Sequence, residues 1–64
     1  MPIIKVDIFT GRTREQKRAL ARELTGAFVR VTGGQPESVT IVFQDVAKED
    51  WAVAGALMVD KVPD

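Results

Sequence analysis

The sequence contains no cysteine, no histidine and no tyrosine, and these absences remove several kinds of chemistry. Without cysteine the chain forms no disulfide bond, iron–sulfur cluster or thiolate nucleophile. Without histidine, ordinary zinc and copper sites are not expected. Few of the remaining side chains can serve as a general base near pH 7, so such a base has to come from a less usual group.

Charge of one sign and long apolar runs are also missing. Nine basic residues balance nine acidic ones, whereas non-specific binding to nucleic acid needs a strongly basic surface. No apolar stretch approaches the roughly 20 residues that cross a bilayer. The first residues lack the basic-then-apolar order of a secretion signal. We therefore expect a cytoplasmic protein that binds neither nucleic acid nor membranes.

The small size of the chain limits the core that it can form. The chain has 64 residues, which predict one domain spanning residues 1–64, and 45% of them are apolar. A domain of this length buries only about 60% of the surface of its unfolded chain. Disulfides, structural metals and subunit association are the usual reinforcements at this size. With the first two disfavoured here, we expect subunits to associate.

The first half of the chain predicts a strand followed by a long helix. Apolar and polar side chains alternate over Ile3–Phe9, as in a strand with one buried face. Thr13 and Gln16 have the spacing of a capping box, and Gly33 supplies a helix stop, so the helix is expected over residues 13 to 32. Its apolar stripe is expected at Leu20, Leu24, Ala27, Phe28 and Val31.

The second half predicts another strand and a hairpin. Residues Val39–Val46 are rich in β-branched side chains, and the order strand, helix, strand implies parallel strands with a right-handed crossover. Gly55 predicts the tight turn of a short C-terminal hairpin, and the fold class is α+β. The helix covers one face of the sheet, so Ile3, Phe9 and Val42 on the other face predict sheet-on-sheet packing between subunits.

Pro2 is the strongest candidate for a catalytic group. Methionine is normally removed before a small residue such as proline, which leaves a secondary amine at the start of a strand. An α-amino group has a pKa of about 7.7–8.0 in model peptides, and burial or a nearby cation lowers that pKa. The nitrogen of Pro2 can then act as a neutral base at pH 7. Alternatively, Pro2 only begins the strand, where its missing N–H costs nothing.

Two more residues are candidates for substrate binding. The guanidinium of Arg12 fits a carboxylate and precedes a helix N-terminus, which also favours an anion; the alternative is a surface arginine in a loop. Trp51, the single tryptophan, is either a water-excluding wall or an interface residue. Arg14, Arg18 and Arg22 lie on the polar face of the helix, where solvation is expected and an acidic partner surface is the alternative.

Together these residues resemble the 4-oxalocrotonate tautomerase family. The matching stretches are Met-Pro-Ile-Ile at the start, Gly-Arg-Thr-Arg-Glu-Gln-Lys over residues 11–17, and residues 47–55 around Trp51. The likeness extends over nearly the whole chain. It implies the tautomerase (MIF-like) fold, hexamers that are usually trimers of dimers, no metal or other cofactor, and a place in aromatic degradation.

The resemblance also implies a reaction and the residues that carry it. Pro2 would be the general base of an isomerase that interconverts the enol or dienol and keto forms of a 2-oxo acid. Arg12 would bind a carboxylate of this small-molecule substrate. Trp51 matches the position of an aromatic wall that is usually Phe. Thr40 departs from the pattern, because the family has there a second arginine, which polarises the 2-oxo group and its adjacent carboxylate.

Thr40 changes what the implied site can bind. A hydroxyl cannot supply the charge-assisted bidentate contact of a guanidinium, and the loss of such a stabiliser typically costs about 10²- to 10³-fold in rate. Either the substrate carries one acidic group, or Arg14 compensates in part, or a different chain supplies the cation. In the last case the chain is a non-catalytic or partner-dependent subunit of a heterohexamer.

Hydratase or dehalogenase chemistry is a further alternative that the resemblance raises. Related families perform it on this scaffold with an acid that activates water, shortly after the aromatic position. Ala52 and Val53 follow Trp51 here, and neither can activate water. The sequence therefore favours the tautomerase over this alternative.

Overall fold

The chain forms a β–α–β unit followed by a hairpin, as seen in a computed structural model that describes residues 2–62. Strand β1 (Ile3–Phe9) leads into helix α1 (Arg14–Thr32), and a 3-10 turn (Pro36–Ser38) precedes strand β2 (Thr40–Val46). The remaining elements are a second 3-10 turn (Lys48–Asp50), strands β3 (Ala52–Val53) and β4 (Ala56–Leu57), and a one-turn helix α2 (Met58–Lys61).

The main sheet has the parallel pairing that the sequence predicts. Strands β1 and β2 are parallel over their whole length, with Ile3 opposite Thr40 and Phe9 opposite Val46. Strands β3 and β4 form a separate antiparallel pair. The α+β fold class is therefore confirmed, and β2 begins one residue later than predicted.

Both ends of α1 are fixed by the residues that the sequence singles out. The hydroxyl of Thr13 accepts a hydrogen bond from the Gln16 N–H at 3.1 Å, and the Gln16 side chain accepts one from the Thr13 N–H at 2.8 Å. Gly33 ends the helix with a φ of 79°, and its N–H donates to the carbonyl of Val29 at 2.8 Å. These caps satisfy backbone groups that a helix leaves unpaired.

Helix α1 packs on one face of the main sheet only. The side chains of Ile4, Ile41 and Phe43 lie half-buried on that face. There the Lys17 ammonium lies 3.0 Å from the Asp45 carboxylate and links α1 to β2. On the opposite face, which we call the open face, the Trp51 ring packs on Phe9 at one end, whereas Ile3 and Val42 remain 69% and 43% exposed.

The rotation of α1 differs from the predicted stripe. Leu24 and Phe28 are half-buried as expected, but Leu20 is 37% exposed and Val31 is 83% exposed. Eleven residues make about three turns, so these two side chains lie above one another on the flank of the helix. The side of α1 that contacts the sheet includes Lys17 instead. The prediction that Val31 faces the sheet is wrong.

The hairpin follows the prediction made from Gly55. Ala54 and Gly55 have φ values of 55° and 82°, which is the type I′ turn that matches the twist of two paired strands. The N–H of Met58 donates to the carbonyl of Trp51 at 2.8 Å and ties the hairpin to its start. Helix α2 was not predicted, because its single turn carries no periodicity.

The subunit is a thin plate without a closed core. No side chain among residues 2–62 is fully buried, and the accessible surface is 4875 Å², against about 4,000 Å² for a compact monomer of this mass. The radius of gyration is 14.8 Å, against about 11 Å for a compact chain of this length. Neither helix in the described part of the chain has the length and apolar character needed to cross a membrane.

Candidate active site

Pro2 and Thr40 lie side by side at the end of the main sheet where the parallel strands β1 and β2 begin, which we call the first end. The Thr40 N–H donates a hydrogen bond to the Pro2 carbonyl at 3.0 Å, just before the pairing of Ile3 with Thr40. Pro2 is half-buried and Thr40 is exposed. The predicted removal of Met1 concerns a residue outside those that the structure describes. The strand pairing thus holds the backbone of the candidate base in a fixed position.

Arg12 and Trp51 lie at the opposite end of the same sheet, where β1 and β2 finish, which we call the last end. The Trp51 ring packs on that of Phe9, the last residue of β1, with centroids 4.4 Å apart and planes tilted by 48°. Arg12 precedes the N-cap Thr13 and is exposed. Its guanidinium makes no hydrogen bond or ion pair with any residue between 2 and 62. Both side chains are therefore available to a ligand or to another subunit.

The two ends of the sheet are too far apart to form one site within a subunit. Seven residues of β1 separate them, and at about 3.3 Å per residue this is roughly 23 Å. A site that contains Pro2, Thr40, Arg12 and Trp51 together therefore needs at least two subunits, with the first end of one sheet beside the last end of another.

A cavity of about 240 Å³ lies at the last end of the sheet, but it is not the predicted site. It is lined by Thr10, Ala47, Lys48, Glu49 and Val59. None of the four predicted site residues lines it. No group of three or more acidic side chains in residues 2–62 is arranged to hold a metal ion.

The comparisons with known proteins decide the family. The family model described as "Tautomerase enzyme" matches residues 2–61. The chain belongs to the tautomerase family. It is 37% identical over 60 residues to the 2-hydroxymuconate tautomerase of Bacillus subtilis strain 168, and the match covers 94% of this chain and 97% of that protein.

Solved structures of the same fold match this chain over most of its length. A 4-oxalocrotonate tautomerase isozyme from Methylibium petroleiphilum superposes with a TM-score of 0.91 at 35% identity, covering 94% of both chains. A heterohexamer 4-oxalocrotonate tautomerase from Chloroflexus aurantiacus gives a TM-score of 0.88 at 30% identity, covering 94% of this chain and 97% of that one. Tautomerase-fold relatives thus include hexamers.

Lys5 is a charged residue near the first end of the sheet, on the Pro2 side, that the sequence does not single out. It lies on the open face opposite Val42, and its ammonium is 3.9 Å from the Asp7 carboxylate. The alternation of β1 places Lys5 on that face, but only the register with β2 shows that it neighbours Thr40. By contrast, Arg18 pairs with Glu15 at 2.7 Å on the solvated face of α1.

Proposed function

We propose that this chain is a cofactor-independent tautomerase that interconverts the enol or dienol and keto forms of a 2-oxo acid, with Pro2 as general base. The observation that carries the proposal is the placement of Pro2, half-buried at the start of β1 and held through its carbonyl by Thr40. Membership of a family of tautomerases supports an isomerase.

The proposed reaction moves one proton and needs no redox partner. After removal of Met1, the uncharged nitrogen of Pro2 takes the proton of the substrate's enol hydroxyl. The oxygen forms the C=O bond, and the electron pair of the former double bond shifts to a distal carbon. The protonated nitrogen then returns the proton to that carbon. The base is regenerated and the atoms of the substrate are unchanged in number.

Arg12 and Trp51 are proposed to hold the substrate. Arg12 carries a charge that no described residue neutralises, and a carboxylate accepts two parallel hydrogen bonds from a guanidinium. Trp51 presents a large ring braced by Phe9. Such a wall excludes water, which strengthens the electrostatic contacts within the pocket. The pocket is proposed to form where the Pro2 end of one subunit meets the Arg12 end of another.

The exposed apolar side chains support such an assembly. Ile3 and Val42 are 69% and 43% exposed on the open face, and Val53 and Leu57 are exposed on the hairpin. With Leu20 and Val31 on the flank of α1, the subunit has three separate apolar patches. A closed assembly with more than one kind of interface, such as a trimer of dimers, would cover all three.

Two substitutions at Pro2 test the base. Pro2→Ala keeps a small residue that permits removal of methionine, and so leaves a primary amine. Pro2→Leu should retain Met1 and place an amide nitrogen at this position. Because a general base contributes about 10²- to 10⁴-fold, we expect ketonisation of phenylenolpyruvate to fall strongly in Pro2→Ala and to be lost in Pro2→Leu. Pro36→Ala, at the other described proline, should keep wild-type turnover.

Intact mass and the pH profile complete this test. The wild-type mass should lack methionine, and kcat/KM should fall as the pH drops below the pKa of the Pro2 amine, since protonation removes the base. Wild-type turnover in a Pro2→Leu protein that retains Met1 would eliminate Pro2 as the base.

Thr40 favours a second candidate, a subunit that needs a different partner chain. No arginine occupies this position beside Pro2, and one similar structure is a heterohexamer. In that case the purified chain is inactive towards every enol acid and gains activity only when a second chain is added. A homohexamer that is active alone supports the first candidate.

A further inference from the structure

The open face of the sheet carries one cation close to the Pro2 end. Lys5 is the only basic residue in β1 and β2. Thr40 pairs with Ile3 and Val42 pairs with Lys5, and all four side chains lie on the open face. Lys5 is therefore two residues, or about 7 Å, along the strand from the pair that contains Thr40.

The ammonium of Lys5 has a weak partner within the subunit. Its distance of 3.9 Å from Asp7 exceeds the 2.7–3.2 Å of a hydrogen bond. The two side chains are 62% and 51% exposed, and exposed ion pairs of this kind are readily screened and exchanged. A ligand carboxylate that replaces Asp7 on the ammonium releases the half-exposed Asp7 carboxylate to solvent.

Assembly increases the need of Lys5 for an anion. The open face also carries Ile3 and Val42, whose exposure we attribute to packing against another subunit. Covering the part of that face around Lys5 removes water from the ammonium, and a desolvated ammonium requires a hydrogen-bonded counter-charge, which Asp7 at 3.9 Å does not supply. At the end of the face, where the proposed pocket opens beside Pro2, a substrate anion can provide it.

We propose that Lys5 is a substrate-binding residue, and that it binds the anionic group of the substrate nearest Pro2 in place of the guanidinium that Thr40 cannot supply. This inference rests on the proposed function, because it assigns a second anion contact to the same site. Arg12 from another subunit then binds the far end, so the substrate class is an enol acid with an anionic group at each end.

A lysine contact differs from an arginine contact in what it selects. The ammonium is a compact charge on a flexible stem, whereas a guanidinium is a planar fork. Lys5 can follow carboxylates at somewhat different distances from the reacting carbon. The site should therefore accept dicarboxylate enols of more than one length, and prefer each of them to a monocarboxylate.

The test compares two substrates in matched variants of the assembled protein. For the wild type and for Lys5→Gln, Lys5→Arg and Arg22→Gln, kcat/KM is measured with 2-hydroxymuconate, a dicarboxylate, and phenylenolpyruvate, a monocarboxylate. We expect the ratio of the two values to fall at least tenfold in Lys5→Gln and to be kept in Lys5→Arg. Arg22→Gln removes the same charge from the exposed face of α1 and should keep the wild-type ratio.

A binding measurement separates this inference from the proposed function. Adipate and hexanoate are titrated into each protein while the fluorescence of Trp51 is followed. Tighter binding of adipate that is lost in Lys5→Gln supports the inference even if no enol is turned over, which would refute only the proposed function. An active Lys5→Gln protein with an unchanged substrate ratio and unchanged adipate binding refutes the inference alone.

The remaining outcome concerns a purely structural role for Lys5. If Lys5→Gln breaks the oligomer, as judged by its mass in solution, and Asp7→Asn does the same, then the two residues form an ion pair that holds the interface. That result would overturn the assignment of Lys5 to substrate. Under our proposal Asp7→Asn keeps the oligomer and tightens adipate binding, because it removes the competing carboxylate.

Discussion

Arg12 is the residue whose loss should separate binding from chemistry. Its guanidinium is free of partners within residues 2–62, so Arg12→Ala removes the proposed contact to the substrate without leaving a buried charge. We expect KM for a carboxylate enol to rise about 10- to 100-fold, the value of a hydrogen bond to a charged group, with a smaller change in kcat.

Arg14 provides the matched control for that prediction. It lies two residues further along, at the exposed start of α1, and Arg14→Ala removes the same charge from the same turn. Steady-state kinetics of both variants decide the matter. An equal rise in KM for the two would contradict a specific contact with Arg12, since either the general positive potential of this turn or a compensating contact from Arg14 would then account for it.

The sequence predicts the identity of some site residues well, but it does not predict which residues lie next to each other in the site. The spacing of Pro2, Arg12 and Trp51 matched a family pattern, and the comparisons confirm that family. The neighbourhood of Pro2, Thr40 and Lys5 depends on the register of two strands that a whole helix separates. The alternation within β2 fixes the face of Thr40, but a two-residue slip, which keeps that face, would move Thr40 away from Pro2, and nothing local to either strand excludes such a slip.

Among the elements, the hairpin contains a residue in a strained conformation. Ala54 has a φ of 55°, in the left-handed region where a residue with a Cβ is disfavoured by roughly 1–2 kcal/mol. Asparagine tolerates this region and is the preferred residue before glycine in a type I′ turn. We expect Ala54→Asn to raise the free energy of unfolding by about 0.5–1 kcal/mol, measured by thermal unfolding at fixed protein concentration.

A substitution at Gly55, in the same turn, is the control for which we expect the opposite change in stability. Its φ is 82°, and an added Cβ would meet no atom within 4 Å, so Gly55→Ala changes only the backbone strain. A fall in Tm for Gly55→Ala together with a rise for Ala54→Asn would confirm the turn. A fall in Tm for both variants would show that contacts outside one subunit hold the side chain of Ala54.

The bounds of a helix are predicted well where local capping residues end it. Thr13, Gln16 and Gly33 fixed α1 within a residue, because caps act through neighbouring backbone groups. The face of α1 was misjudged at Val31, because an apolar stripe gives the apolar positions but not which of them the chain itself covers. Helix α2 was missed because four residues cannot display a helical period.

For the whole molecule, the separation of Pro2 from Arg12 makes a prediction about mixed assemblies. Pro2→Leu and Arg12→Ala subunits, unfolded together and allowed to reassemble, should be more active than either alone at low substrate concentration. If each site takes these two residues from different subunits, random mixing leaves about a quarter of the sites with both wild-type residues. Activity of the mixture is measured against the two separate variants.

A double variant tests whether that gain comes from shared sites. Pro2→Leu mixed with Pro2→Leu/Arg12→Ala contains no wild-type Pro2 and should stay inactive. If the first mixture also shows no gain, although mass measurements prove that hybrid oligomers formed, then Pro2 and Arg12 of one site belong to the same subunit. The shared pocket would then be wrong.

If the chain assembles as proposed, its thin, coreless shape ties the amount of assembled protein to the rate at which chains are made. A chain that buries nothing fully by itself gains its stability from its neighbours, so folding and association become one concentration-dependent equilibrium. Halving the supply of chains then removes more than half of the assembled sites. The unassembled remainder exposes both edges of a two-stranded sheet to proteases and to wrong partners. The output of the proposed enzyme would then depend as steeply on its synthesis as on its substrate.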